Sequence, residues 1–257
     1  MTKMDASPPV LRIKDRVAYI TLNRPHHINR LEHGDLVELT KIFSGISMDR
    51  EVRVVVLTGT GDVFSAGFDL NAIAAGDVGD PVSGPGGFGL VADALECLPQ
   101  ATIARLNGGV YGGATDLALA CDFRIGVMEM EAAMPAARLG LHYYKGGIKR
   151  YASRLGLDNA KRMFLTAERI GARALLEMGY LTQLVTADRL DEAVAHLAQT
   201  LAANAPLAVQ GMKLSLNEFA RQEWDDDVFF SRAEIALKSD DLRKGVSALL
   251  QKRKPGF

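Results

Sequence analysis

Hydrophobic and polar residues alternate near the start of the chain. Residues 10–13 and 17–22 follow this period of two on either side of Lys14-Asp15-Arg16, and this pattern predicts a β-hairpin. The period changes to that of an amphipathic helix over residues 36–48. An apolar run follows at 53–58, and such a run is typical of a strand buried on both faces. The chain is therefore expected to begin with a hairpin, a helix and a buried strand.

Strands and helices alternate in the next part of the sequence. The pattern predicts a helix near residues 90–98, a strand at 101–106, a helix from about residue 112 and a strand at 123–127. This alternation implies right-handed crossovers and mostly parallel strand pairing. We therefore expect an α/β fold.

The pattern becomes mainly helical from Gly147 onward. A short strand at 181–185 interrupts the series of helices. The helices are predicted at 150–155, 160–166, 172–178, 190–203, 207–221, 224–238 and 241–252. This change of architecture predicts two regions, an α/β core at 1–195 and a C-terminal helical region at 196–257.

Composition and charge describe an ordinary globular protein. The 257 residues, of which 48% are hydrophobic and 24% charged, are enough to bury a sizeable core in one large domain. A formal net charge of -1 offers no general attraction to nucleic acid or to an anionic membrane. No basic-then-apolar leader precedes Val10, and no apolar run reaches the length of a membrane span, so we expect a soluble, cytoplasmic protein.

Signals for disulfide, metal and nucleotide chemistry are weak. Cys97 and Cys121 have neither the paired spacing of metal ligands nor the density of a disulfide scaffold, so we expect reduced cysteines and no metal. The spacing G-x-G-x-x-G occurs at 84–89, but no predicted strand precedes it, which disfavours an NAD-dependent oxidoreductase. The segment 74–89 is rich in Gly, Pro and Asp and predicts a surface loop, where an active-site lid would fit.

The run 107–122 carries the most informative chemistry of the chain. Gly112 and Gly113 follow a predicted strand and open a predicted helix, whose first N–H groups favour a developing negative charge. Asp116 lies on the face of that first turn, where a carboxylate can transfer a proton. Tight-turn glycines and an acid that compensates the helix dipole explain the same residues without chemistry. The run predicts an anion-stabilising site beside an acid or base, and the structural alternative stays open.

The run 107–122 and the segment 64–70 resemble the two signatures of the crotonase (enoyl-CoA hydratase/isomerase) superfamily. Further blocks that resemble the family lie, in the same order, at 23–29, 135–150, 162–168 and 239–257. The resemblance implies a crotonase-like spiral of ββα units with a C-terminal helical region. It also implies an acyl-CoA substrate, no cofactor beyond the coenzyme A of that substrate, and assembly as a homotrimer or homohexamer.

The resemblance also implies roles for individual residues. The N–H groups of Phe68 and Gly113 match the pair that binds the thioester oxygen, and Asp116 occupies the position of one catalytic glutamate of the hydratases. The second glutamate is absent, because Ala136 follows Pro135. This departure puts hydration by a pair of glutamates in doubt.

Several polar residues near Ala136 are alternative proton-transfer groups. His142 and Tyr143 are the first to test, since imidazole and phenol both transfer protons, and the other candidates nearby are Arg138, Tyr144 and Lys145. A solvated loop explains each of them singly. Tyr111 is predicted either to line the acyl pocket or to pack in the core.

The resemblance places coenzyme A against three parts of the chain. They are the turn with His26, His27 and Ile28, the segment that runs from Ala66 through Asp69 to Leu70, and the basic end that starts at Lys252. Asp69 equally suits hydrogen bonds within its own turn. The basic end equally suits compensation of a helix dipole.

These residues predict hydratase or isomerase chemistry on an unsaturated acyl-CoA, with Asp116 as the acid/base and Phe68 and Gly113 as the oxyanion hole. A thioester or carbon–carbon bond hydrolase that uses Asp116 and His142 is a close alternative. Because Ala136 lacks a proton-transfer group, a non-catalytic acyl-CoA-binding protein is a second alternative.

Overall fold

Two β-sheets and a series of helices form the structure. It is a computed structural model that describes residues 7–71 and 87–257. The strands are β1 (Val10–Lys14), β2 (Val17–Leu22), β3 (Val54–Gly59), β4 (Val63–Ser65), β5 (Ala101–Leu106), β6 (Gly109–Tyr111), β7 (Phe123–Val127), β8 (Glu131–Ala133), β9 (Ile170–Gly171) and β10 (Gln183–Val185). The helices are α1 (His33–Met48), α2 (Phe88–Glu96), α3 (Gly113–Ala120), α4 (Lys145–Lys161), α5 (Ala172–Glu177), α6 (Leu190–Ala202), α7 (Pro206–Arg221), α8 (Asp226–Leu237) and α9 (Asp240–Leu250).

The larger sheet has the strand order β1-β2-β3-β5-β7-β10. β1 and β2 form the predicted antiparallel hairpin, and the other neighbours pair in parallel. The central strand β3 is buried at Val54, Val55 and Val56, as its uninterrupted apolar run predicts. The mostly parallel α/β sheet expected from the sequence is therefore confirmed.

A second, smaller sheet was not predicted from the sequence. Its order is β4-β6-β8-β9, with the first three strands parallel and β9 antiparallel to β8. These strands contain only two or three residues each, which is too short for a hydrophobic period to be recognised. The sheet matters here because its three parallel strands end beside the candidate site.

The helix at 145–161 corrects two predicted helices. The sequence pattern placed helices at 150–155 and 160–166, whereas α4 starts at Lys145 and continues through a break at Gly156, where φ is 75°. A π-helical turn, Arg162–Thr166, follows it. The first turn of α4 contains Gly146 and Gly147, which are poor helix formers, so the hydrophobic pattern did not predict a helix there. The earlier start places Arg150 in the second turn, in the interior.

The C-terminal helices carry large apolar side chains on their surface. The predicted boundary at residue 195 falls inside α6, which packs against β3, β5 and β7. Trp224, between α7 and α8, lies with its ring 4.8 Å from that of Phe229 and 6.1 Å from that of Phe219. The exposed apolar side chains of α7–α9 are Leu207, Met212, Leu216, Phe219, Val228, Phe230, Ile235, Leu237, Leu242, Val246, Leu249 and Leu250.

Three remaining expectations concern loops, cysteines and membranes. Most of the predicted loop at 74–89, including residues 84–86 of the G-x-G-x-x-G spacing, lies outside the described residues, and Phe88 and Gly89 belong to α2. Cys97 is exposed and Cys121 is buried, and both are free thiols. Among the helices that the structure describes, none combines the length and apolar character that crossing a membrane requires.

Candidate active site

A mostly apolar cavity lies at the carboxyl ends of three parallel strands. Residues within 66–70 follow β4, residues 111–113 lie at the end of β6, and residues 134–136 follow β8. The remaining lining side chains belong to α2 and to the segment between β8 and α4: Phe88, Leu139, Leu141, Tyr143 and Tyr144. Ligands commonly bind where the loops at the carboxyl ends of parallel strands meet. This cavity is therefore the candidate active site.

The N–H group of Phe68 faces away from its neighbouring backbone. Leu31 donates its N–H to the carbonyl of Gly67 at 2.8 Å and accepts the N–H of Asp69 at 2.9 Å. In such a parallel bridge the residue between those partners, Phe68, turns its own N–H to the opposite side. Among the described residues, the Phe68 N–H donates to no backbone or side-chain acceptor. It is a donor left free at the cavity wall.

The N–H group of Gly113 likewise donates to no acceptor among the residues that the structure describes. Gly113 is the first residue of α3, where a helix leaves its N–H groups without an intrahelical partner. The two loops touch, because a Cβ atom added to Gly67 would lie 3.0 Å from the Gly113 nitrogen and 2.5 Å from the Tyr111 carbonyl oxygen. Gly112 supports the turn with φ 55° and ψ −134°, a conformation that suits glycine. The predicted pair Phe68 and Gly113 is thus brought to one cavity.

Asp116 is buried beside the cavity and does not line it. Its Oδ2 atom accepts hydrogen bonds from the Tyr144 hydroxyl and, at 2.6 Å, from Nη1 of Arg150. Its Oδ1 atom is buried with no hydrogen-bond partner among the described residues. Burial raises the pKa of Asp116, against the opposing effects of Arg150 and the Tyr144 hydrogen bond. A buried carboxylate oxygen without a hydrogen-bond partner costs free energy, which makes Asp116 a candidate functional residue.

Tyr144 connects the cavity wall to Asp116. Its ring lines the cavity and lies 4.4 Å from the ring of Tyr143, while its hydroxyl donates to the Asp116 carboxylate. Burial and the neighbouring Asp116 charge raise the pKa of Tyr144 well above 10. Tyr143 also lines the cavity, as predicted, and burial raises the pKa of its phenol well above 10. Nothing in the sequence distinguished Tyr144 from the other polar residues of its segment.

Arg150 is a functional candidate that was not predicted from the sequence. Its side chain is 1% exposed, and it forms ion pairs with Asp116 and Asp93, both at 2.6 Å, and with Glu96 at 3.2 Å. The sequence pattern predicted a helix that starts at Arg150 and assigned no role to this side chain. Since α4 begins a turn earlier, the guanidinium reaches the interior between α2 and α3.

Other predicted residues take different places. Ala136 is buried in the cavity wall, so the position after Pro135 has no proton-transfer group there. Tyr111 lines the cavity and donates its hydroxyl to Glu131 at 3.0 Å. His142 is exposed and does not line the cavity; its Nδ1 atom lies 2.9 Å from the Tyr143 carbonyl oxygen.

One of the three segments predicted for coenzyme A, residues 66–70, lies at the cavity rim. Ala66 and Leu70 line the cavity, and the Ala66 N–H donates to the Ile28 carbonyl at 2.8 Å, which joins the turn of His26 and His27 to that rim. Asp69 accepts the backbone N–H of Asn71 at 3.0 Å, as its alternative structural role predicts. Lys252 is exposed, follows α9 and does not line the cavity. The structure does not bring Lys252 to the other predicted residues.

Comparisons with known proteins agree with this architecture. The sequence profile of the enoyl-CoA hydratase/isomerase family matches residues 12–257. Carnitinyl-CoA dehydratase of Escherichia coli O157:H7 is 32% identical over 243 residues, which cover 92% of each chain. The crystal structure of enoyl-CoA hydratase from Bacillus anthracis is 30% identical with a TM-score of 0.88, covering 98% of this chain and 99% of that one. An enoyl-CoA hydratase from Polaromonas sp. JS666 is 25% identical with a TM-score of 0.86, covering 97% and 99%.

Fold and site together define an α/β protein of the crotonase type, with backbone N–H donors at the carboxyl ends of parallel strands. The chain belongs to the enoyl-CoA hydratase/isomerase family and is an acyl-CoA enzyme of that type.

Proposed function

We propose that the N–H groups of Phe68 and Gly113 bind the thioester oxygen of an acyl-CoA and stabilise the enolate formed from it. The close approach of their two loops carries this proposal, because it directs two free donors to one cavity. Preorganised N–H donors of this kind contribute about 2.7–4 kcal/mol each to a transition state. The apolar wall of the cavity suits the acyl chain.

The proton-transfer unit in this proposal is the hydrogen-bonded pair Tyr144 and Asp116. Tyr144 lines the cavity, whereas Asp116 is fully buried behind the wall, so the phenol is the member that faces substrate. As the Tyr144 oxygen accepts a proton from the acyl Cα, its own proton passes to Asp116 Oδ2. The reverse transfer returns a proton to the substrate.

A single proton-transfer unit favours isomerisation. The pair removes the α proton of a 3-enoyl-CoA, the two N–H groups hold the resulting dienolate oxygen, and the pair then protonates the γ carbon to give a 2-enoyl-CoA. No water is added or lost in this sequence. Hydration by two carboxyl groups would need a second acid/base where this chain has Ala136.

Hydration or dehydration of an acyl-CoA is the second candidate. The similarity to carnitinyl-CoA dehydratase, at 32% identity over 92% of both chains, supports it. Hydrolysis through Asp116 and His142 has less support, since His142 is exposed and does not line the cavity.

Assembly and location are part of the same proposal. A homotrimer or homohexamer is supported by the family resemblance and by the exposed apolar side chains of α7–α9. A cytoplasmic location is supported by the two unpaired cysteines, Cys97 and Cys121.

The test compares turnover of a 3-enoyl-CoA with hydration of crotonyl-CoA in the parent, Asp116→Asn and Tyr144→Phe proteins. We expect isomerisation to be the faster reaction of the parent. Both substitutions are expected to lower kcat by about 10²–10⁴-fold with little change in acyl-CoA affinity, because each removes a proton-transfer group while keeping the side-chain size. Affinity is measured by the acyl-CoA-dependent shift of the thermal midpoint.

Tyr19→Phe, which removes a phenol from β2 away from the cavity, is the matched control and should keep parental rates. Parental rates for Asp116→Asn would exclude the pair. A slow Asp116→Asn protein with a parental Tyr144→Phe protein would exclude the relay and assign proton transfer to Asp116 alone. Faster hydration than isomerisation would favour the second candidate.

A further inference from the structure

A buried cluster of charged side chains surrounds the far side of Asp116. We call it the ion cluster; its acids are Asp93 and Glu96 of α2 and Asp116 of α3, and its bases are Arg150 and Arg154 of α4 and Arg221 of α7. Arg221 also pairs with Glu223 at 2.8 Å, and Asp93 is 45% exposed, so the buried part of the cluster is Arg150 with Glu96 and Asp116. Removal of one of these three leaves an uncompensated charge in the interior. Such a loss is costly in a buried network.

Arg150 is fixed by three separate carboxylates. Its Nη1 atom donates to Asp116 Oδ2 at 2.6 Å, its Nη2 atom donates to Asp93 Oδ1 at 2.6 Å, and its Nε atom lies 3.2 Å from Glu96 Oε1. Nη2 also donates to Glu96 Oε2 at 3.4 Å, whereas Nε forms no hydrogen bond among the described residues, so the two Nη atoms carry the hydrogen bonds that orient the planar guanidinium. Arg150 therefore holds Asp116 at a defined place relative to α2.

Glu96 is the acid that ties Arg150 to the rest of the cluster. Its carboxylate also lies 3.1 Å from Arg154 Nη2 and 3.3 Å from Arg221 Nη1. Burial acts to raise the pKa of Glu96, but Arg150, Arg154 and Arg221 together hold it below its ordinary value. Glu96 is thus a permanent negative charge behind Arg150 at neutral pH.

The two carboxylate oxygens of Asp116 differ in their hydrogen-bond partners. Oδ2 accepts from both Arg150 and Tyr144, whereas Oδ1 has no partner among the described residues. Gly147 leaves room for this arrangement, because a Cβ atom there would lie 2.3 Å from the Tyr143 ring and 3.3 Å from Asp116 Oδ2. Arg150 therefore shares its oxygen acceptor with the phenol that faces the cavity.

We propose that Arg150 and Glu96 are positioning residues for proton transfer: Arg150 anchors the Asp116 oxygen that Tyr144 contacts, and Glu96 orients Arg150 and balances its charge. The proposal rests on the Tyr144 and Asp116 pair proposed above. It gives this enzyme a line of contacts from the cavity wall to Arg221 at the end of α7.

The two residues act on Asp116 with opposite signs. Arg150 lowers the pKa of Asp116 and Glu96 raises it, since a cation favours the carboxylate and an anion opposes it. The other titratable groups near Asp116 are Tyr143 and Tyr144 before α4, Tyr151 of α4, and Tyr180 after α5, and Asp93 of α2 pairs with the far side of Arg150. The tyrosines have a pKa raised by burial, so they stay protonated through the neutral range.

The test is the pH dependence of kcat on the preferred enoyl-CoA for Glu96→Gln, Arg150→Gln and Arg150→Lys. Because the resting pair needs ionised Asp116 to accept a proton, kcat rises with pH through the pKa of Asp116. Glu96→Gln should move this rise to lower pH, and Arg150→Gln should move it to higher pH. Arg150→Lys keeps the positive charge but loses the planar guanidinium that donates to several carboxylates at once. It should therefore lower kcat about tenfold or more, and it should shift the rise of kcat along the pH axis less than Arg150→Gln does.

A purely structural cluster predicts a different result. It would lower the thermal midpoint of both Gln variants and leave the rise of kcat at the parental pH, which would overturn the proposal. Asp93→Asn also removes a negative charge beside Arg150, but from a half-exposed position, so its kcat profile should shift to lower pH as that of Glu96→Gln does. It replaces Glu96→Gln in the test if that variant does not fold. An inactive Asp116→Asn protein together with unmoved pH profiles would refute the positioning roles alone, whereas an active one would refute the proposed proton-transfer pair.

Discussion

Single glycines determine how closely the two oxyanion loops approach. Gly67 has φ 86°, and a Cβ atom there would meet the Tyr111 carbonyl oxygen at 2.5 Å and the Gly113 nitrogen at 3.0 Å. Both the backbone conformation and the space therefore require glycine. The sequence showed that glycines occur at 67, 112 and 113, but it did not show that Gly67 and Gly113 touch. That contact brings the two turns together at one cavity wall.

Gly67→Ala is expected to lower kcat by about 10²–10³-fold, because the added methyl group separates the Phe68 and Gly113 donors. The thermal midpoint should also fall, since alanine is strained at φ 86°. Steady-state kinetics and thermal unfolding measure the two effects. Gly34→Ala in α1 is the matched control, because a Cβ atom at Gly34 meets nothing within 4 Å and alanine favours a helix. A Gly67→Ala protein as active as Gly34→Ala would contradict the two-donor site.

At the scale of elements, the sequence predicted the strands and helices that are long enough to show a hydrophobic period. Strands β5 and β7 have the predicted bounds, and α6 and α7 begin and end within one residue of theirs. The second sheet was missed because β4, β6, β8 and β9 are shorter than one recognisable period.

The candidate site shows the same division between local and distant information. Phe68, Gly113 and Asp116 belong to local motifs, so a resemblance found them. Tyr144 and Arg150 act through contacts that join residues 28 and 34 positions away in the chain. No local pattern contains that information. The first turn of α4, which brings Arg150 to these contacts, contains two poor helix formers, Gly146 and Gly147.

The 3₁₀ turn Ala136–Leu139 offers a gain-of-function test. Ala136 is buried in the cavity wall, where an apolar setting would raise the pKa of a carboxyl group and keep it available as an acid. Ala136→Glu is therefore expected to hydrate crotonyl-CoA faster than Ala136→Gln, the control of equal size without an acid. Hydration rates equal in both variants, with acyl-CoA binding retained, would show that position 136 does not reach the reacting carbons.

At the scale of the whole molecule, the buried core and the C-terminal helices differ in character. Buried apolar residues of both sheets and of α1–α6 form one core cluster, whereas α7–α9 contain few buried apolar residues. Phe219 is 70% exposed and Leu250 is 80% exposed. Large exposed apolar side chains grouped on helices are typical of surfaces that bind other proteins.

We expect self-association through α7–α9, with the trimer or hexamer of the proposal as the assembly. Light scattering coupled to size exclusion at micromolar concentration measures the mass directly. Phe219→Glu and Leu250→Glu should weaken the assembly, because each places a charge on a surface that is apolar in the parent. Lys41→Glu, on the exposed side of α1, is the control for a change of charge. A parent protein that stays monomeric would contradict this expectation.

Trp224 is an intrinsic fluorescence probe in this protein. It is the single tryptophan of the chain, so ultraviolet excitation that selects indole excites one place only. That place is the junction of α7 and α8, where the half-exposed indole lies against two phenylalanine rings and donates its Nε1–H to Asp226 at 2.8 Å. Emission from this protein therefore reports the environment of the C-terminal helices without any attached dye.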